Sequence, residues 1–188
     1  YAFGTLTNKP TDISKRITIK TINDSLNKPT RQFLIYFANL DNFSLAPLPV
    51  VVTVNDNDPP PSVFIEDAPP ALVLEGGPGL KNMAFTVRLS APSGQGVSID
   101  YSTSDGTATA GIDYMGTNTT VFFDLGDTNR TILIPIFGDS LNETNETLFV
   151  NLSLVADNAI VDTNRFRAQG ICAHALRRRG LRRGRDLD

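Results

Sequence analysis

Acidic side chains dominate the chemistry that this sequence could support. The 188-residue chain has 20 Asp and Glu residues but only one His and one Cys. His174 and Cys172 lie two residues apart, so they cannot form a working dyad without a dedicated scaffold, and single copies exclude a multi-histidine centre and a cysteine-based zinc site. A glycosidase needs two acids on facing strands of a cleft, whereas the acids here fall mainly in predicted loops. We therefore expect no enzyme activity and an affinity for cations or basic partners.

The charge is unevenly distributed along the chain. Residues 1–164 have nine basic and 18 acidic side chains, a net charge of −9, whereas residues 165–188 have eight arginines and two aspartates, a net charge of +6. The Arg-rich segment could bind nucleic acid in a salt-dependent manner, but a solvated terminus or a segment foreign to the fold is the simpler interpretation. The chain starts at Tyr1 without a Met or a signal peptide, so we expect a fragment of a larger protein.

An internal repeat at an offset of 115 residues organises the chain. Residues 17–27 align with residues 132–142, and the sequence Asp-Ser-Leu-Asn that begins at Asp24 recurs at Asp139. A period of this length indicates a whole domain in tandem rather than a solenoid unit. Prolines between the copies deny the backbone a hydrogen-bond donor and stiffen the connection. The predicted segments are a partial first copy at 1–58, a Pro-rich linker at 59–61, a second copy at 62–164 and an Arg-rich tail at 165–188.

The second copy has the pattern of an antiparallel β protein. Met83, Phe85, Val87 and Leu89 alternate with more polar residues, which is typical of a half-buried strand, and turn signals such as Asp105-Gly106 separate the strands. About seven short strands over roughly 100 residues indicate an all-β fold of tandem immunoglobulin-like Greek-key β-sandwiches, with the first copy partial. The predicted strands are 62–65, 71–74, 83–89, 97–102, 119–123, 131–137 and 147–154. The first copy retains about its last three strands, and half a sandwich cannot bury its sheet face alone.

Five sequence motifs resemble those of the Calx-beta domain family. They are the segments 74–77, 100–114, 137–143 and 146–150 of the second copy and the closing segment 50–58 of the first. The long Asp-Gly-Thr-Ala-Thr-Ala-Gly-x-Asp-Tyr string is the most specific of them. The resemblance covers residues 1 to about 164 and implies a sandwich module of the kind found in ion exchangers and in large cell-surface or secreted repeat proteins.

The resemblance implies a calcium site where inter-strand loops gather at one end of the sandwich, near the following domain. Calcium takes about six to eight oxygen ligands at roughly 2.3–2.6 Å, so several loops must direct carboxylates to one point. The family motif maps onto Glu75, Asp105, Asp139 and Glu143 in the second copy, and onto Asp24, Asp56 and Asp58 in the first. Bound calcium would stabilise and stiffen that end of the domain.

Two departures from the family pattern weaken this expectation. Lys28 and Arg31 of the first copy align with Glu143 and Glu146 of the second, and cations there oppose calcium. After about Asn164 the second copy turns into the Arg-rich segment, so we expect it to lack its usual last strand and its closing carboxylates. Calcium binding there would then be weak, toward the millimolar range of extracellular modules, or lost.

Several of these acids also have a purely structural explanation. Glu75 could end a strand at a hairpin, Asp105 could belong to a simple Asp-Gly turn, and Asp139 could cap a turn. For Asp113 we expect a local hydrogen bond rather than a metal contact. The Gly-rich segment 76–79 lacks the helix and lysine of a phosphate-binding loop.

The main functional prediction is a calcium-binding repeat module of a cell-surface or secreted protein, active in adhesion and cell communication through calcium-dependent stiffening of domain ends. Its expected partners are calcium ions, neighbouring Calx-beta-like domains and a protein or glycan adhesion partner. Seven Asn-x-Ser/Thr sequons would permit glycosylation in that setting. The alternatives are a regulatory calcium-sensing domain on the cytoplasmic side of a membrane transporter and a metal-free structural spacer.

Overall fold

The computed structural model describes residues 4–5, 14, 16–37, 48–66, 71–74, 78–139, 143–154 and 158–173. All regular secondary structure in these ranges is β-strand, which confirms the predicted all-β class. A helix with the length and hydrophobicity of a membrane span is absent from these described ranges.

The N-terminal unit, residues 16–37 and 48–58, contains one antiparallel strand pair. β1 (Arg31–Ile35) and β2 (Val50–Val54) pair along their whole length. Of the three or so strands expected here, the structure describes these two. Large apolar side chains such as Val51 remain about half exposed, because two strands alone cannot bury a sheet face.

The C-terminal unit, residues 62–173, is a sandwich of two sheets. The four-stranded sheet has the order β10-β3-β5-β8 and the five-stranded sheet the order β4-β11-β9-β6-β7. All seven predicted strands occur, and most are slightly longer than predicted. The strands are β3 (Ser62–Ile65), β4 (Ala71–Leu74), β5 (Gly79–Leu89), β6 (Val97–Asp105), β7 (Asn118–Phe123), β8 (Asn129–Gly138), β9 (Glu146–Leu154), β10 (Ile160–Val161) and β11 (Arg167–Ala173).

The core lies between the two sheets and follows the predicted alternation. Met83, Phe85, Val87 and Leu89 of β5 are all buried, while the residues between them are more exposed. The second sheet contributes the same inward pattern, as at Val97, Ile99 and Tyr101 of β6, and burial of such side chains is the main source of stability for a sandwich. The largest fully buried side chains are Tyr114, Phe123, Ile65, Met83, Ile99, Ile134, Ile136 and Leu148.

The last strand of the sandwich corrects the predicted boundary at residue 164. β11 lies between β4 and β9, antiparallel to β9 and parallel to β4. The prediction that the second copy lacks its last strand, and that 165–173 belongs to a tail outside the fold, is therefore wrong. Small inward residues and arginine stacking explain the strand: Ala168 and Cys172 are buried, and the Arg167 guanidinium lies 3.6 Å from the centroid of the Phe149 ring. Residues 174–188 lie outside the described residues.

The strand register brings seven strand termini to one end of the C-terminal unit. Gly79 pairs with Gly138, Leu74 with Ala173, and Asp105 with Leu148. Consequently β4, β6, β8 and β11 end, and β5, β7 and β9 begin, at the same end. We call this end the acidic pole, and the opposite end, which holds the β5–β6 loop, the junction pole.

Candidate metal centre

The β6–β7 loop at the acidic pole folds back on itself. Asp105, the last residue of β6, accepts two hydrogen bonds at Oδ1, from the Ala110 amide at 2.9 Å and from the Tyr114 hydroxyl at 2.5 Å. Gly111 has a φ of +86°, and its amide donates to the Tyr114 carbonyl at 2.8 Å. This left-handed position favours glycine and lets the chain reverse just before Asp113.

Backbone hydrogen bonds fix this loop between β8 and β9. The Phe137 amide donates to the Asp113 carbonyl at 2.9 Å, and the Gly106 amide donates to the Thr147 carbonyl at 3.1 Å. At Gly106 a Cβ atom would lie only 2.4 Å from the Thr147 carbonyl oxygen, so the close approach requires glycine. The loop is thereby held against the start of β9, where the next acids lie.

Three carboxylates from two distant segments converge beside this loop. One carboxylate oxygen each of Asp113, Glu143 and Glu146 lies within 4.8 Å of the others, with Asp113 and Glu146 half-buried and Glu143 exposed. The Asp113 Oδ2 atom also accepts a hydrogen bond from the Thr109 amide at 2.7 Å, so the local contact expected for Asp113 occurs together with the cluster. An all-oxygen donor set of three acids suits a hard cation such as Ca²⁺, and the charges repel one another until a cation is present.

The four acids assigned to the second copy are placed differently. Glu143 belongs to the cluster, and Asp139 follows β8 directly at the same pole but is not a cluster member. Asp105 also lies at this pole, but its Oδ1 atom accepts hydrogen bonds from the β6–β7 loop. Glu75 lies outside the described residues.

Sequence reasoning missed two cluster members, Asp113 and Glu146. The three-residue spacing of Glu146 from Glu143 was a signal visible in the sequence. The chain reversal before Asp113 was not visible there.

The acids assigned to the first copy contact residues of their own unit. Asp24 accepts the Leu26 amide at 3.0 Å and forms an ion pair with Lys28, whose ammonium holds the pKa of Asp24 below its usual value. Asp56 accepts the Lys28 amide at 2.9 Å, and Asp58 accepts the Asn27 side-chain amide with its backbone carbonyl. Within the described residues, these three aspartates do not form a group of close carboxylates like that at the acidic pole.

Tyr114 links the loop to the core. Its ring is buried at 1% exposure, and burial, together with the hydrogen bond to the Asp105 carboxylate, raises the pKa of Tyr114 to about 12. The protonated hydroxyl donates to Asp105 and ties it to the interior of the sandwich, and the raised pKa keeps it protonated above the usual tyrosine range.

Comparison with known proteins gives the family. The model of the Calx-beta domain matches residues 2–58 and 56–169. Sodium/calcium exchanger 1 of Rattus norvegicus is 34% identical over 122 residues, which are 61% of this chain and 12% of the exchanger. Sodium/calcium exchanger 3 of Homo sapiens is 42% identical over 57 residues, which are 30% of this chain and 6% of the exchanger. The chain thus spans only a small part of the curated relatives it matches.

Solved structures show the same fold. The apo-form Calx CBD1 domain has a TM-score of 0.51 at 20% identity, with 62% of this chain and 98% of that chain covered. CBD12 from CALX1.2 has a TM-score of 0.53 at 21% identity, with 60% of this chain and 44% of that chain covered. The calcium binding domain CBD12 of CALX1.1 has a TM-score of 0.52 at 21% identity, with the same coverage. The family resemblance of the sequence is confirmed, and the chain belongs to the Calx-beta domain family.

Proposed function

We propose that this chain is a calcium-binding regulatory module of a membrane transporter of the sodium/calcium exchanger type. The metal site would be the cluster of Asp113, Glu143 and Glu146 at the acidic pole. The observation that supports it best is the convergence of three carboxylates from the β6–β7 loop and the start of β9, two segments held together by backbone hydrogen bonds.

The named relatives favour the transporter function over adhesion. The curated relatives are sodium/calcium exchangers, and one structural neighbour is described as a calcium binding domain. We therefore place the module on the cytoplasmic side of the membrane and take calcium and the adjoining Calx-beta unit as its partners. The adhesion function and an extracellular location gain no support from these relatives.

The chemistry of the cluster suits a calcium-operated regulatory element. Three carboxylates supply at most six oxygens, so backbone carbonyls or water would complete a shell of about six to eight ligands. Bound calcium would remove the repulsion between the acids and join the β6–β7 loop to β9. Because a ligand that binds only the folded state stabilises it, the acidic pole would become more rigid as calcium rises.

Calorimetric titration of the whole chain with calcium tests the proposal. We expect binding, and a loss of affinity of at least about tenfold in the double variant Glu143→Gln, Glu146→Gln, because two anionic ligands become neutral. Asp124→Asn is the matched control, since Asp124 is an exposed acid at the junction pole. The absence of both binding heat and a thermal shift at millimolar calcium would instead support the metal-free spacer. Unchanged affinity in the double variant would remove the site from the acidic pole.

A further inference from the structure

The N-terminal unit contacts the junction pole of the C-terminal unit through Asn27. The Asn27 carbonyl accepts the Gly94 amide at 3.0 Å, and Asn27 Oδ1 accepts the Gln95 side-chain amide at 2.9 Å. Asn27 Nδ2 in turn donates to the Asp58 carbonyl at 2.9 Å. One asparagine therefore connects its own unit, the segment that leads out of that unit, and the β5–β6 loop of the next.

Lys28 lies directly over the same loop. A Cβ atom on Gly94 would be 2.6 Å from Lys28 Cγ, 3.0 Å from the Asn27 carbonyl oxygen and 3.3 Å from Lys28 Cε. The aliphatic part of Lys28 is thus packed on the bare backbone of Gly94, and the lysine side chain is only 23% exposed. This packing holds the stem of Lys28 at the contact between the units.

The polar atoms of Lys28 contact two acids of the N-terminal unit. Its ammonium pairs with Asp24, and its amide donates to the Asp56 carboxylate at 2.9 Å. An exposed ion pair alone contributes little to stability because water screens it, but Lys28 also makes the backbone hydrogen bond to Asp56 and packs on Gly94. Lys28 therefore joins three elements: the turn after Asp24, the end of β2 and the loop of the neighbouring unit.

The internal repeat shows that the N-terminal unit has cations at positions where the acidic pole of the C-terminal unit has acids. At the offset of 115 residues, Lys28 corresponds to Glu143 and Arg31 to Glu146. Two of the three acids that form the candidate metal centre in the C-terminal unit are thus cations at the same positions of the N-terminal unit. Asp24, which corresponds to Asp139, is the acid that receives the lysine ammonium.

We propose that Lys28 is a built-in counter-ion that takes the place of a metal ion in the N-terminal unit, and that it fixes the contact between the two units without metal. The contact then persists at any calcium concentration, and calcium acts only at the opposite, acidic pole. The proposal does not require that calcium binds there, because it concerns a different end of the molecule.

Distance measurements between spin labels test the proposal on the whole chain. Labels are attached through Val51→Cys on β2 and Leu133→Cys on β8, both at exposed positions, whereas the native Cys172 is fully buried. We expect one narrow distance distribution that is the same in excess chelator and in excess calcium. Lys28→Met should increase the width of this distance distribution at least twofold without calcium. Gly94→Val should increase the width equally, because the added side chain pushes residues 27–28 away from the β5–β6 loop. Lys20→Met, at an exposed lysine outside the contact, should leave it unchanged.

Two outcomes would overturn the proposal. The first is a broad distribution in chelator that narrows on addition of calcium in the otherwise unchanged chain. The second is an unaltered distribution in both Lys28→Met and Gly94→Val, with folding verified by circular dichroism. A parallel calorimetric titration separates this result from the calcium proposal, since failure to bind calcium leaves the effect of the Lys28 and Gly94 variants intact.

Discussion

The Tyr114 hydroxyl lies 2.5 Å from the Asp105 carboxylate, and this contact ties the loop at the acidic pole to the core of the sandwich. Tyr114 is buried, whereas Asp105 is exposed at the end of β6. The pair therefore gives the loop a fixed starting point, from which the chain reverses at Gly111 and presents Asp113. Of the two acids in the most specific sequence motif, Asp105 thus holds the loop in place and Asp113 joins the cluster.

The raised pKa of Tyr114 predicts a loss of stability at high pH. The pKa is about 12 in the folded protein and about 10 when unfolded, so the contribution is complete below pH 10 and disappears as the pH rises toward 12. A shift of this size corresponds to about 2–3 kcal/mol of unfolding free energy. Urea denaturation between pH 9 and 12 checks this, and Tyr114→Phe should flatten the extra decline. An equal decline in both proteins would contradict it.

Asp113 and Asp105 should affect calcium affinity differently. Asp113→Asn removes one of three clustered carboxylates, so we expect an affinity loss of about tenfold, similar to that of Glu143→Gln. Asp105→Asn should mainly reduce stability, because a neutral amide oxygen accepts the hydrogen bonds from the Ala110 amide and the Tyr114 hydroxyl less strongly than the carboxylate does. Calorimetry and thermal unfolding of both variants separate the two effects. A larger affinity loss in Asp105→Asn would identify Asp105 as the principal ligand.

Truncation at the two alternative boundaries tests the role of β11. A chain that ends at Asn164 loses the strand between β4 and β9, leaving two strands without their neighbour, and should not unfold cooperatively. A chain that ends at Ala173 keeps every described strand of the sandwich and should retain its urea midpoint. Equal midpoints for the two truncations would show that β11 contributes nothing to stability.

Gly170 should tolerate no side chain. A Cβ atom at this position would lie 2.2 Å from Met83 Sδ and 3.0 Å from Phe85 Cζ, both in the core. Gly170→Ala should therefore lower the unfolding free energy by about 1–3 kcal/mol through overpacking. Gly116→Ala is the control, because its Cβ would meet only Ala110 Cβ at 3.4 Å, and its effect should stay within about 0.5 kcal/mol. Equal effects of the two variants would contradict this explanation.

The sequence predicted the strands whose apolar residues are large and missed those whose inward residues are small. The alternation from Met83 to Leu89 is unambiguous because every second side chain is a large apolar group that lies in the core. In β11 the inward positions include Ala168, Gly170 and Cys172, so the alternation carries little hydrophobic contrast. Arg165 just before β11 and Arg167 within it resemble the arginines of a solvated tail until the structure shows that Arg167 covers an aromatic ring. β10 has only two residues and pairs with β3, which no local pattern can indicate.

The location of the candidate site was more predictable than its members. Strand order and register bring Asp105, Asp139 and Glu143 to one end of the sandwich, as the family pattern implied. Which acids approach one another depends on the chain reversal at Gly111 and on hydrogen bonds to β8 and β9, contacts between segments that are distant in sequence. A sequence motif records residue types, but it does not record these distances.

The parallel pairing of β4 with β11 has a mechanical consequence. β4 belongs to the start of the C-terminal unit and β11 to its end, and four residue pairs from Ala71–Gly170 to Leu74–Ala173 join them. A pulling force applied to the two ends of the unit acts along these strands in opposite directions, so the ladder is sheared and its hydrogen bonds must break together instead of unzipping one by one. The same strand that closes the sandwich therefore makes the module resistant to tension along the chain.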